Sequence, residues 1–300
     1  MLKIHIHFQH YLILNKKLMT KSFLSALTGL AIGAISFAQA QTIDLKPVWE
    51  TDTTIRTPES VLFDPAQKIL YVACINGGPK LENKSSFIAK VGLDGKVKQL
   101  KFTENLNSTK GMGMLGKKLY VTEMTQVAEI ELATGKVSNR YPIEGAKFLN
   151  DITVDPKKGI VYISDSGEGK VWAIDKGKVV PVMSGDPLKG TNGLLFENDA
   201  LLIGNGDGTL YSMDLQSKKL TSVGKVSGGI DGIVGLGNKT YIVTEWGGKI
   251  WYVKADGTTE LKMDTSADKI NTADLAYDPT TKMIYVPTFF HNTVKAFSLK

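Results

Sequence analysis

Two carboxylates and two carboxamides stand at the same place in separate repeats of this chain: Glu59, Asn150, Asn192 and Asp231. Each sits at the head of a short apolar segment that turns and comes back as a second apolar segment. Oxygen donors of this number and kind, converging on one point, suit a hard divalent cation with water filling the remaining positions. Calcium is the first expectation, with magnesium, manganese or zinc as alternatives. The one cysteine is Cys74, and the one histidine beyond the first forty residues is His291, which argues against a structural zinc site. A single imidazole on a loop also leaves little for a Ser-His-Asp or Cys-His nucleophile. The competing reading is that the four oxygen-bearing residues cap strand ends, since Asn and Asp are common in turns. Their recurrence at one repeat position favours the ion.

The elements that must position them repeat along the chain. Glu59, Lys110, Asn150, Asn192, Asp231 and Ala273 head equivalent units, separated by 51, 40, 42, 39 and 42 residues. A period in this range marks a repeat architecture, because one unit cannot bury its own apolar faces alone. Each unit is built of β-rich runs joined by Asp-Gly, Thr-Gly or Lys-Gly pairs that read as hairpin turns. Six all-β units predict an all-β fold, a six-bladed β-propeller with four-stranded antiparallel blades. The sixth unit ends one strand short at Lys300. The segment from Ile43 to Trp49 is expected to supply the missing strand, which closes the ring and removes two exposed edges.

Propeller geometry turns these positions into a mouth. The inner strands run the same way, so their first residues ring one end of the central channel, with Ser60, Asp151 and Asp274 one step further in. Loops after each second strand form the rim. They carry Asn76 to Ser86, Glu123, Asp165 to Glu168, Asn205 to Asp207, Glu245 with Trp246, and Phe289 to His291. The Asn76–Ser86 insert explains most of the long first spacing and is the candidate lid. Lys110 is the one cation in the ring. It is expected to bind a substrate anion, to act as a base if burial lowers its pKa, or to pair with Glu59 or Asp151. Trp246, Phe289 and Phe290 offer an apolar wall, although two of the three are expected to pack between blades.

The front of the chain reads as a targeting segment. Met19 to Lys21 begin a basic region, Phe23 to Phe37 are apolar, and Ala38, Gln39 and Ala40 make an A-x-A cleavage site. Residues 1–18 read as an upstream extension, residues 41–300 as a single domain, and the destination as the periplasm or the exterior. The apolar run falls short of the roughly 20 residues of a membrane span. Loss of the four leader lysines leaves 32 basic against 30 acidic residues, so the basic charge balance belongs largely to the leader. No basic stripe interleaved with aromatics remains, which argues against a nucleic-acid partner. Cys74 ends an apolar strand and reads as a buried small hydrophobe.

With these motifs, residues 56–299 resemble the senescence marker protein/gluconolactonase/paraoxonase-like six-bladed propellers. Glu59 in Pro-Glu-Ser, Asn150 in Leu-Asn-Asp, Asn192 in Asn-Gly-Leu and Asp231 in Asp-Gly-Ile match that family's metal-holding positions. The resemblance implies a metal-dependent hydrolase of a lactone or related ester. Asp231 or Asp151 would be the base and Lys110 a further catalytic group. Asn150, Lys147, Trp246 and Phe289 would touch the substrate. The chain departs from the family in carrying Lys147 where an Arg often stands one residue nearer the Asn, and Lys110 where paraoxonase-like members carry His. The alternative is a non-catalytic propeller that binds a small ligand or a protein, with a structural ion or none.

Overall fold

The computed structural model describes residues 43–300. The leader, with its expected start at Met19 and cleavage after Ala40, lies outside the described residues. The repeats fold as six four-stranded antiparallel sheets, each a blade of a β-propeller. Blade three shows the pattern, with strands Leu149–Asp155, Ile160–Asp165, Lys170–Asp175 and Lys178–Ser184 in that order from axis to periphery. The last blade is composite. Leu45–Glu50 pairs antiparallel with Val294–Leu299 and completes the sheet begun by Ala276–Asp278 and Met283–Pro287. The strand Leu45–Glu50 therefore closes the ring with the last strand of the chain, as the missing strand predicts.

Second strands read as continuous apolar runs because both their faces are buried. Along Ile160–Asp165, Val161 and Ile163 pack into the cluster shared with blade two, while Tyr162 packs into the cluster shared with blade four. The period-two alternation thus distributes one strand between two cores. Six such clusters fill the six seams between adjacent blades. Fourth strands lie at the periphery and mix half-buried with exposed residues, as in Lys178–Ser184. Cys74 is fully buried, and burial pushes its thiol well above the ordinary range.

The Asp-Pro turns of the repeats have a specific cause. Asp64 Oδ1 accepts the amides of Ala66 and Gln67, and Asp155 Oδ1 accepts those of Lys157 and Lys158. Asp278 Oδ1 does the same for Thr280. These side chains replace the backbone partners that a tight turn leaves open. They hold the inner and second strands in register beneath the mouth.

At the axis the blades crowd. A Cβ on Gly193 would lie 2.4 Å from the Asp231 carbonyl oxygen of the next blade, and one on Gly111 would lie 2.4 Å from Asp151 Cα. These glycines follow the ring residues Asn192 and Lys110, so they let neighbouring inner strands approach at the height of the site. Gly193→Ala should therefore cost about 1–3 kcal/mol, the usual penalty of forcing atoms into a packed interior. Thermal unfolding of this variant should show a melting temperature lower by several degrees. An unchanged melting temperature would show that the inner strands can separate freely.

Candidate functional site at the channel mouth

The ring forms as the repeats imply. Glu59, Lys110, Asn150 and Asp231 are buried, and Asn192 is partly buried. Asp231 Oδ1 accepts a 2.5 Å hydrogen bond from Asn192 Nδ2, joining blades four and five. Asn150 Nδ2 donates to Ser166 Oγ at 3.3 Å, and that hydroxyl donates in turn to the Thr191 carbonyl. These partners set both amide orientations: Asp231 as a carboxylate only accepts, and the Ser166 proton is already used. Each carboxamide therefore spends its NH2 group on a neighbour and keeps its Oδ1 free of any protein donor among the described residues.

At the mouth, two carboxylate oxygens are left without a partner. Glu59 Oε2 and Asp231 Oδ2 are buried and make no hydrogen bond. Orphaned buried acceptors are costly unless something outside the chain meets them. A hard cation fits this donor set of two carboxylate and two amide oxygens. Among the described residues, no group of three or more His, Cys, Asp or Glu side chains is gathered so as to hold an ion. Any ion here therefore depends on the oxygens of Asn150 and Asn192.

Asp151 is differently employed. Its Oδ1 accepts the Ile152 amide at 2.6 Å, and its Oδ2 accepts the Leu194 amide of blade four at 2.6 Å. Asp274 ties blade six to blade one through Ser60 Oγ at 2.7 Å. Both carboxylates act as cross-blade struts. Of the two carboxylates expected to serve as a base, only Asp231 retains an uncommitted oxygen.

The charges are poorly compensated. Burial, then the Asp231 carboxylate, raises Glu59 well above the carboxylate range, and Lys110 offsets part of this. Burial and then Asp274 raise Asp151. Burial lifts Asp231 to about 7 against the Asn192 hydrogen bond, and lifts Asp274 to about 8 against the Ser60 bond. Lys110 falls to about 8, chiefly through burial. Of these four buried carboxyl groups only Glu59 is offset by the Lys110 charge, and in a dry setting ionisation is unfavourable.

Lys110 makes none of the ion pairs considered for it. It is 2% exposed, and its Nζ donates to the Ser108 carbonyl and hydroxyl, both at 3.0 Å, and to the Pro79 carbonyl at 3.2 Å. It also lies 4.5 Å from the centroid of Phe148. Its protons are spent on Ser108 and on the loop that carries Pro79. The sequence missed Ser108 and Phe148, because their importance arises from contact with Lys110 and not from a repeat position. Lys147 lies at the outer rim, largely exposed and paired with Glu168.

The aromatic rim differs from expectation. Only Phe289 is buried, against Ile75 and Ala273. Trp246 is 44% exposed and Phe290 56% exposed, although all three rings meet edge to face. The rim carboxylates Glu123, Asp165 and Glu245 are consumed in holding loops, through Asn107 N and Arg140, through Lys147 N and Phe148 N, and through Gly228 N respectively.

The raised carboxyl groups have a consequence for stability. Asp231 and Asp274 bind protons more tightly in the fold than in the unfolded chain, so their contribution is fully present below about pH 4 and is lost as pH rises through about 7 and 8. Lys110 acts in the opposite sense, but only above about pH 8. After chelator treatment, the melting temperature should fall from pH 5 to pH 8, and calcium should restore more of it at pH 8 than at pH 5. An equal calcium effect at both pH values would count against these carboxylates as the ion's ligands.

No family model matches the sequence, and no curated protein matches it. Solved structures share the fold. A catalytically inactive virginiamycin B lyase from Staphylococcus aureus, solved with quinupristin, is similar over 86% of this chain and 100% of its own, at 15% identity and a TM-score of 0.62. A provisionally assigned gluconolactonase covers 86% of this chain and 94% of its own, at 16% identity and a TM-score of 0.63. A chain of a nidogen/laminin complex covers 73% of this chain and 84% of its own, at 14% identity and a TM-score of 0.61. At these identities the likeness is one of fold.

Proposed function

We propose that the chain is a metal-dependent hydrolase of a lactone or related ester, exported to the periplasm or the exterior by its leader. The observation that carries this reading is the pair of orphaned buried oxygens, Glu59 Oε2 and Asp231 Oδ2, set at one mouth with the free amide oxygens of Asn150 and Asn192. The fold it shares with a provisionally assigned gluconolactonase is consistent with it. Glu59, Asn150, Asn192 and Asp231 would hold the ion, calcium in the first instance. A bound ion would supply Lewis-acid polarisation of the acyl carbonyl.

The chain's own residues supply the rest. Asn192 fixes one oxygen of Asp231 and so aims the other. That oxygen has two lone pairs, enough to meet an ion and accept a proton from an attacking water. Asp151 and Asp274 hold the blades that carry these groups. Lys110 positions the first-blade loop, because its protons are already engaged. Trp246 and Phe289 would contact the apolar part of the substrate.

The exposed rings of Trp246 and Phe290 favour a second reading, a propeller that binds a ligand or protein without catalysis. Exposed aromatics are common anchors of such surfaces, and fold alone does not choose.

Calorimetric titration with Ca²⁺, Mg²⁺, Mn²⁺ and Zn²⁺, joined to a panel of lactones and aryl esters, separates the two. One ion per chain with ion-dependent turnover is the expected result. Ion binding without turnover would favour the binding propeller. Asp231→Asn should lower turnover by about 100-fold or more, the usual loss with a general base. Asp151→Asn should act mainly on stability, seen as a lower melting temperature with turnover per folded chain largely kept. Full turnover in Asp231→Asn would remove Asp231 from the chemistry.

A further inference from the structure

The loop from Asn76 to Ser85 is the one large insertion in the repeat, and it is held in a defined place. Asn76 and Lys84 both adopt left-handed backbone, with φ of 55° and 58°. At the base, Asn76 Nδ2 donates to the Ser85 carbonyl at 3.0 Å, and the Lys84 amide donates to Asn107 Oδ1 at 2.9 Å. At the tip, the Pro79 carbonyl accepts from both Ser108 Oγ and Lys110 Nζ. This clamp carries the next residue, Lys80, across to blade three, where its Nζ lies 5.7 Å from the centroid of Phe148.

Two ammonium groups therefore approach one ring, since Lys110 lies 4.5 Å from the same centroid. Lys80 and Lys110 repel each other, and Lys80 is among the groups that lower Lys110. Among the described residues Lys80 makes no ion pair with a carboxylate. Beside the ring opens a depression of about 540 Å³, lined by Lys80, Met124, Lys147, Phe148, Ser166 and Gly167. Its size is that of a small-molecule site. Ser166 links it to the ring, because the same hydroxyl accepts from Asn150 Nδ2. The nearby carboxylate of Glu168 is shared between Lys147 and Lys170, and Glu82 on the loop is the other acidic neighbour of Lys110. Glu59 and Glu82 act on Lys110, and Glu168 and Asp165 on Lys147, so Lys80 is the lysine of the group left without a carboxylate partner among the described residues.

We propose that this depression is a subsite for an organic carboxylate, which meets Lys80 and Lys147 with its charge and Met124 and Phe148 with its apolar body. The subsite deepens the hydrolase reading, and rests on it, in naming the substrate as a lactone or ester that also carries a negative charge. An anion beside Lys80 relieves the like-charge repulsion between Lys80 and Lys110 that the clamp imposes. The apolar floor suits a flat or chain-like body, and methionine adapts to either. Ser166 keeps the bound group next to Asn150, at the edge of the ion's donor set.

The test uses phenylacetate as the probe, benzyl alcohol as its neutral counterpart, and the full chain. Binding is read by calorimetry and by the NMR shifts of isotope-labelled dimethyl-lysines. Phenylacetate should bind saturably, shift Lys80 and Lys147, and weaken as salt is raised. Lys80→Ala and Lys147→Ala should each weaken it about two- to fivefold, in line with single exposed ion pairs. Ser108→Ala, which loosens the clamp and leaves both lysines, should weaken it in the same direction. Equal affinity for benzyl alcohol, or undiminished phenylacetate binding in the folded Lys80→Ala, Lys147→Ala double variant, would overturn the subsite. Because the probe is not hydrolysed, the hydrolase reading fails separately. Saturable binding by a chain that turns over no lactone would keep the subsite and remove the hydrolase. Turnover of neutral lactones without phenylacetate binding would do the reverse.

Discussion

Crowding at the axis is the constraint on which the structure depends. Six inner strands approach so closely that the residue one step past each ring position is either glycine or a polar side chain bonded in place. Gly111, Gly193 and Gly232 take the first course, where a Cβ would meet the next blade within 2.4 to 2.6 Å. Ser60, Asp151 and Asp274 take the second. The same crowding that closes the ring also strips water from every carboxylate facing the channel. The site's electrostatics are therefore a product of the fold's closure and not an addition to it.

That coupling sets stability against function. Asp151 and Asp274 stabilise by bonding across seams, yet their burial beside Glu59 and Asp231 makes their ionisation costly. A hydrophobic axis of similar shape would avoid this cost, since buried charges rarely improve stability over well-packed apolar groups. A mouth whose charges relax only on meeting protons or a cation is consistent with a site kept for binding. Lys110 does not resolve the imbalance, because its protons point to Ser108 and the Pro79 carbonyl.

Much of this was legible because propeller repeats put equivalent residues at equivalent heights. The spacing of Glu59, Asn150, Asn192 and Asp231 is enough to place them on one ring, and the absent fourth strand of the last unit is enough to assign Leu45–Glu50 to it. What stayed hidden depends on contacts without a period. Asp151 has the residue type of a base, and only the Leu194 amide of the next blade shows that it is a strut. Lys110 has the position of a ring residue, but Ser108, in a left-handed conformation at φ 44°, draws its side chain toward the loop. By type, two of Trp246, Phe289 and Phe290 are expected between blades, but only Phe289 is buried and the other two stand exposed on rim loops.

The first blade's loop is where this propeller differs from its own repeat. A symmetric ring offers six similar rims, and nothing in symmetry selects one of them for a ligand. The insertion breaks that equivalence by bringing Lys80 to Phe148, just before the first strand of blade three, so one sector of the mouth is basic. The opposite sector, with Trp246 and Phe290, is open and aromatic. The mouth therefore presents ammonium groups on one side, buried oxygen-bearing side chains near the axis and exposed aromatic rings on the other. Fixed polarity of this kind orients a small molecule before any chemistry begins, and orientation of a reacting bond is among the largest contributions a protein can make to rate. Closure fixes the ring in this fold, and the one long loop of the first blade is where its rim departs from six-fold equivalence.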